Sequence, residues 1–234
     1  MKDDQQKDEV LGLTSAFAMV SHDIKNSLGI LLKYIGMISE NCDLEACGVS
    51  QECADMEYEV RRINNNLVKM LTLFKVEEGN YMLNVDAHSI RDFLEEEMLE
   101  HGDLTKQKGI GYEVECSEEL YWYFDRNLMT GVMSNAISNA LRYTKDWLRV
   151  SAETTDEGLV VTVEDNGSGF PESMLEKQGE FFHPESGFLN NNTGLGLYFT
   201  QVVLDLHKHD GKRGRVTLSN GGVLQGGCCR ILLP

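Results

Sequence analysis

LVVTVEDNGSGF, residues 159–170, changes character at its middle. The half up to Asp165 is rich in β-branched and apolar residues, which predicts a strand. The NGSG that follows cannot continue it and marks a break in regular structure. Upstream, LRVSAET (148–154) has the same strand character and is joined to the first by TDEG, a hairpin turn. Downstream, RVTLSN (215–220) and CRILLP (229–234) are predicted strands around a Gly-rich turn, and GYEVECS (111–117) alternates as a strand should. Helical patterns lie between these strands. HSIRDFLEEEMLEHGDLTKQKG (88–109) reads as one amphipathic helix with Ser89 and Asp92 near its start. DRNLMTGVMSNAISNALRY (125–143) has apolar residues at helical spacing, and GLGLYFTQVVLDLHKH (194–209) is a helix entered through glycines. EKQGEFFHPESGFLNNNTG (176–194) is rich in turn residues and reads as a mobile loop. Strands and helices intermix without strict βαβ repetition, so an α+β sandwich fits better than a doubly wound sheet.

The first third is different. Val10, Leu13, Phe17, Val20, Ile24, Leu31, Tyr34 and Ile38 alternate spacings of three and four, with Ser27 as the polar member of the series. Met56, Val60, Ile63, Leu67, Met70 and Phe74 repeat the pattern. Each is a heptad seam. NCDLEACGVS (41–50) between them suits a connection between antiparallel helices. Two helices cannot bury so continuous a seam alone, and dimerisation into a four-helix bundle is the simplest remedy. The expected fold class is therefore α + α/β sandwich: an antiparallel helical hairpin forming a dimeric four-helix bundle (8–78), then an α+β sandwich domain (82–234). With Phe17 at position a of the heptad, His22 falls at f, Asp23 at g and Asn26 at c, on or near the outward face. Periodicity alone fits a surface histidine with ordinary polar neighbours there.

The 234-residue chain has 21 Lys and Arg against 38 Asp and Glu, a formal charge of −17. The acidity is spread over both parts: 8 cations against 14 acids in residues 1–80, and 13 against 24 in 81–234. Such a chain is a poor electrostatic match for nucleic acid or an anionic membrane. No run of 18 apolar residues is present, and the polar start MKDDQQKDEV lacks the features of a signal peptide, so a cytoplasmic location is expected. The three prolines are at 171, 184 and 234, which leaves the first 170 residues free to form long helices. The six cysteines form no CxxC pair and read as reduced thiols. The grouping of Cys42, Cys47 and Cys53 also suits redox or metal input.

Four patterns line up in order: SHDIKN (21–26), NAISNALRYT (135–144), VEDNGSGF (163–170) and NTGLGL (192–197). Together they resemble the H, N, G1 and G2 boxes of the sensor histidine kinases of two-component systems, over nearly the whole chain. The resemblance implies a phosphotransfer hairpin followed by a Bergerat-type ATP-binding domain, with ATP and Mg²⁺ as cofactors. Asp165 would accept a hydrogen bond from the adenine amine, and Gly167 and Gly169 would let backbone approach the base and ribose. Thr193, Gly194, Leu195, Gly196 and Leu197 would open a helix toward the phosphates. Asn139 would hold Mg²⁺ through its neutral carbonyl, since that ion keeps waters and phosphates as its other ligands. Asn135 lies one turn earlier on the same face, and Arg142, Tyr143 and Lys145 complete the implied nucleotide contacts. In the related gyrase and chaperone ATPases a Glu at the position of Asn135 activates water; Asn is a poor base.

The implied nucleophile is His22, oriented by Asp23, with γ-phosphoryl transfer carried mainly by positioning and electrostatics. The phosphoryl group would pass to an aspartate of a response-regulator receiver, and Asn26 matches the position that orients water for the reverse dephosphorylation. The loop at 171–193 would be the lid over ATP. It departs from the family: no Phe follows Pro184, and Asn192 stands where glycine is common. The same architecture without catalysis, a phosphotransfer or scaffold protein, is the alternative, and an ATPase acting as a conformational clamp is a third. With only about ten residues before the first seam, input is expected from a separate sensor protein.

Overall fold

Two long helices make up the described part of the N-terminal unit. The computed structural model describes residues 24–38, 50–176 and 194–234, in two units divided between Tyr81 and Met82. Helix α1 runs over 24–38 and α2 over Ser50–Glu77. Helix α2 stops where Gly79 turns left-handed (φ 68°), with the Gly79 N–H donating to the Val76 carbonyl at 3.0 Å. The burial of α1 departs from the expected seam. Leu28 and Ile35, one heptad apart, are buried, whereas Ile24, Leu31, Tyr34 and Ile38 are between 42% and 58% exposed. The apolar surface of α1 forms two stripes, and the chain covers only the one through Leu28 and Ile35. On α2, Met56 and Ile63 are likewise exposed, while Leu67, Met70 and Phe74 are half-buried. The connection at 41–49 and the seam residues before Ile24 lie outside the described residues.

The second unit contains β1 (Val85–Ser89), α3 (Ile90–Glu100), α4 (Gly102–Lys108), β2 (Gly111–Glu115) and β3 (Tyr121–Asp125). It continues through α5 (Arg126–Tyr143), β4 (Trp147–Thr155), β5 (Gly158–Asp165), α6 (Glu172–Glu176), α7 (Gly194–Leu206), β6 (Arg215–Gly221) and β7 (Gly226–Leu233). Five strands form one sheet in the order β2-β4-β5-β7-β6, with β2 parallel to β4 and the other neighbours antiparallel. Strands β1 and β3 pair separately. Helices α5 and α7 pack on one face of the sheet and on each other, with α3 against α5. The result is the two-layer sandwich with a mixed sheet. Along α5, Met129, Val132, Met133, Ile137 and Leu141 are buried, the spacing of one helical face.

Three sequence expectations are corrected. The segment 88–109 is two helices, because the chain turns at His101 (φ −100°, ψ 6°) just before Gly102. The His101 ring bonds the Glu97 carbonyl through Nδ1 at 2.9 Å and so closes α3. Ser89 does cap that helix, its Oγ accepting the Asp92 N–H at 3.3 Å. Strands β1 and β3 were not expected, since five residues with Asp86 and His88 among them give no clear alternation. Pro171 and Glu172 lead into a one-turn helix, α6, rather than into loop.

Candidate functional site

Helix α5 begins at a side chain that ties three segments together. Asp125 caps it, Oδ1 accepting the Leu128 N–H at 3.2 Å, and its Oδ2 accepts the Asn84 N–H at 3.0 Å. The Asp125 N–H donates to Nε2 of buried His207, whose Nδ1–H donates to the Val203 carbonyl at 2.8 Å. His207 is thus held neutral; burial first lowers its pKa, against weaker opposing effects of that carbonyl bond and of Asp125. The start of α5 and the end of α7 are fixed to each other by this one ring.

Nearly three turns on, α5 presents Asn135, Ala136, Asn139, Ala140 and Tyr143 to a cavity. The small alanines let the helix approach the sheet, and the two amides, four residues apart, stand on one face. Asn135 Nδ2 donates to Thr200 Oγ1 on α7 at 3.4 Å, and that hydroxyl donates to the Gly196 carbonyl at 2.9 Å. A Cβ at Gly196 would overlap Asn135 Oδ1, so only glycine lets the helices meet there. The floor comes from the sheet by period-two alternation: Val163 on β5, Leu218 on β6, Cys229 and Ile231 on β7. Cys229 is an apolar lining group. Burial, with a smaller effect of Cys228, pushes its thiol up to about 12.

Asp165, at the end of β5, is the acid of the cavity, and it is 5% exposed. Its Oδ1 accepts the N–H of Gly167 at 2.8 Å and of Gly227 at 3.3 Å. Among the described residues Oδ2 takes no hydrogen bond, which leaves it as an acceptor for a donor in the cavity. Next to it, Asn166 Oδ1 accepts the N–H groups of Lys145, Asp146 and Trp147 at 3.1 to 3.2 Å and the Thr144 hydroxyl at 3.0 Å. One side chain therefore holds the whole turn that leaves α5.

Of the residues singled out from sequence, Asn135, Asn139, Tyr143, Asp165, Gly169 and Leu197 converge on this cavity. Gly167 supplies its N–H to Asp165 and packs on the Tyr143 carbonyl, so the protein's own packing demands a glycine there. Leu195 and Gly196 are half-buried on the first turn of α7, which Gly194 opens. Arg142 and Lys145 are exposed and do not line the cavity; the Arg142 guanidinium lies 5.9 Å from the Tyr143 ring centre. Asn26 is exposed on α1 in the other unit, and His22, Asp23, Thr193 and most of the expected lid lie outside the described residues. Sequence reading missed Asn166, Thr200, Phe170 and Asn220. Thr200 was within reach, as the helix position four after Gly196.

No group of three or more His, Cys, Asp or Glu able to hold a metal is present among the described residues. Asn139 offers a neutral amide oxygen instead, which fits a hard cation that brings most of its own oxygen ligands. No described helix is long and apolar enough to cross a membrane.

Residues 124–234 match the family described as histidine kinase-, DNA gyrase B- and HSP90-like ATPase. Sensor protein SrrB of Staphylococcus aureus is 22% identical over 195 residues, which cover 81% of this chain and 33% of SrrB. The chain spans about a third of the length of the curated relatives it matches. The catalytic domain of histidine kinase ThkA superposes with a TM-score of 0.54 at 20% identity, over 64% of this chain and 95% of that one. Histidine kinase AdeS of Acinetobacter baumannii gives 0.57 at 20% identity, over 89% and 95%. Full-length ShkA in complex with AMPPNP gives 0.63 at 16% identity, over 94% and 46%. The structural likenesses show the fold, and residues 124–234 share the model of the ATPase family named above.

Proposed function

We propose that the chain is the catalytic core of a two-component histidine kinase, in which the second unit binds ATP–Mg²⁺ and phosphorylates His22. The observation that carries this reading is the convergence of Asn139 from α5 and Asp165 from β5 on one cavity. Asp165 Oδ2 accepts the adenine amine, while Oδ1 is already fixed by two backbone amides. Val163, Leu218, Cys229 and Ile231 exclude water around the base. Asn139 holds the ion through its amide oxygen; when bound, Mg²⁺ neutralises phosphate charge. Asn135 is engaged with Thr200 and carries no basic group, so nothing at that position activates water in place of a protein nucleophile.

His22 acts as a neutral imidazole oriented by Asp23, and the γ-phosphoryl group moves to its ring nitrogen with ADP leaving. It then passes to an aspartate of a receiver domain, and Asn26 orients water for regulator dephosphorylation. The seam residues Ile24, Leu31, Tyr34 and Ile38, left exposed by one chain, are the face for a second copy in a four-helix bundle. The core works in the cytoplasm, under a separate sensor or regulatory protein. Incubation with γ-labelled ATP and Mg²⁺ tests the reading. Acid-labile, alkali-stable label is expected on the wild type and none on His22→Ala. Asp165→Asn, which keeps an acceptor for Gly167 but sets an amide N–H₂ against the base, is expected to lose about a hundredfold in ATP affinity. Label retained on His22→Ala would sink the assignment.

A further inference from the structure

Asn220 stands on β6, fifty residues along the chain from the backbone it grips. Phe170 N–H donates to its Oδ1 at 2.6 Å, and its Nδ2 donates to the Phe170 carbonyl at 2.8 Å. The pair copies one rung of an antiparallel ladder, with a side-chain amide in place of the second backbone. Gly169 beside it has φ +75°, and a Cβ there would come 2.5 Å from Asn220 Oδ1. Glycine is needed at 169 both for the left-handed backbone and to admit the amide.

What Asn220 grips is a wall of the cavity. Gly169 and Phe170 line it beside Asp165 and Gly227, and α6, which adds Met174, begins two residues later. Asn220 itself is exposed and outside the cavity. Its two hydrogen bonds therefore add little to the core, yet among the described residues they fix the stretch of that wall that no strand or helix holds.

The geometry points to Asn220 as a positioning residue of the nucleotide site, one that sets Phe170 against the bound nucleotide before it arrives. This rests on the nucleotide reading above. Without the clamp, residues 169–170 must be ordered on binding, and affinity falls by that cost.

Binding of a fluorescent ATP analogue to the full chain with Mg²⁺ is measured for wild type, Asn220→Ala, Phe170→Ala and the double variant. Asn220→Ala is expected to weaken binding about tenfold. Its thermal midpoint should stay within about 4 °C of wild type, the shift of a single exposed hydrogen-bonding side chain. The double variant should bind like Phe170→Ala alone, because Asn220 acts through Phe170. Asn220→Asp should fall with Asn220→Ala, since it sets an oxygen against the Phe170 carbonyl. Wild-type affinity in Asn220→Ala, or additive losses in the double variant, overturns the proposal alone. A wild-type chain that binds no nucleotide overturns the nucleotide reading and this proposal with it.

Discussion

Helix α5 and helix α1 carry comparable apolar content and treat it in opposite ways. On α5, Met129, Val132, Met133, Ile137 and Leu141 are all sealed by the sheet, α3 and α7. On α1, Ile24, Ile30, Leu31, Tyr34, Met37 and Ile38 remain open to solvent, while Leu28 and Ile35 are buried and Leu32 between them is half-buried. The sandwich closes its own core; the helical unit does not. An open stripe of that size on a helix is stable only when something lies on it. Among the described residues the second unit covers its own apolar face, and the stripe left open on α1 is the face that the proposed second copy would cover.

The sharpest way to break this contrast is to charge the open stripe. Leu31→Glu with Ile38→Glu is expected to convert the protein from dimer to monomer by sedimentation, while ATP-analogue affinity of the second unit stays at the wild-type value. A dimer that survives both charges would mean the stripe is not the interface. Ile137→Ala probes the other side. Ile137 is fully buried, and its truncation should cost about 2–5 kcal/mol. Denaturant unfolding of the second unit should show that loss, with dimerisation unchanged.

A smaller effect follows from Glu97, buried on α3 with Thr130 Oγ1 donating to it at 2.6 Å. Burial raises its carboxyl to about 7, against the opposing effects of the Thr130 bond and Arg126, with Glu100 and Glu96 adding to the rise. The unfolded carboxyl ionises near 4.5, so between about 4.5 and 7 the folded chain holds the extra proton and stability falls as pH rises. The loss is on the order of 3 kcal/mol. His101 and His207, both with pKa lowered mainly by burial, act in the reverse sense and lose stability as pH falls below 6.5. Glu97→Gln should remove the alkaline loss between pH 5 and pH 8 and leave the acidic one, measured as thermal midpoints. A wild-type midpoint that does not decline toward pH 8 would count against the buried acid.

Much of the sandwich was legible because its strands and helices have unmixed periods. The 159–165 strand, its hairpin partner and the 125–143 helix were read to within a residue or two, and with them Asn135, Asn139, Asp165 and Leu197. What escaped was set by contacts distant in sequence. Strand β1 exists because Val85–Ser89 finds Tyr121–Asp125, not because its residues alternate. The break at His101 depends on a ring folding back on Glu97, within a stretch whose apolar pattern runs on. Asn220 meets Phe170 only after β6 has taken its place at the sheet edge. On α1 the periodicity was legible but not the choice between its two stripes, since spacing does not say which one a single chain covers.

The grip of Asn166 on the turn after α5 bears on how this site can diverge. Three successive positions there, 145 to 147, are held by their backbone amides, all through one carbonyl oxygen. The Lys145 side chain is exposed and can be exchanged without moving the main chain, whereas Asp146 Oδ1 accepts the Asn166 Nδ2–H at 2.6 Å and almost any replacement of Asn166 loosens the corner at once. Sequence drift among descendants should therefore be uneven at this spot, with a tolerant rim free to acquire new charges around one nearly immovable residue.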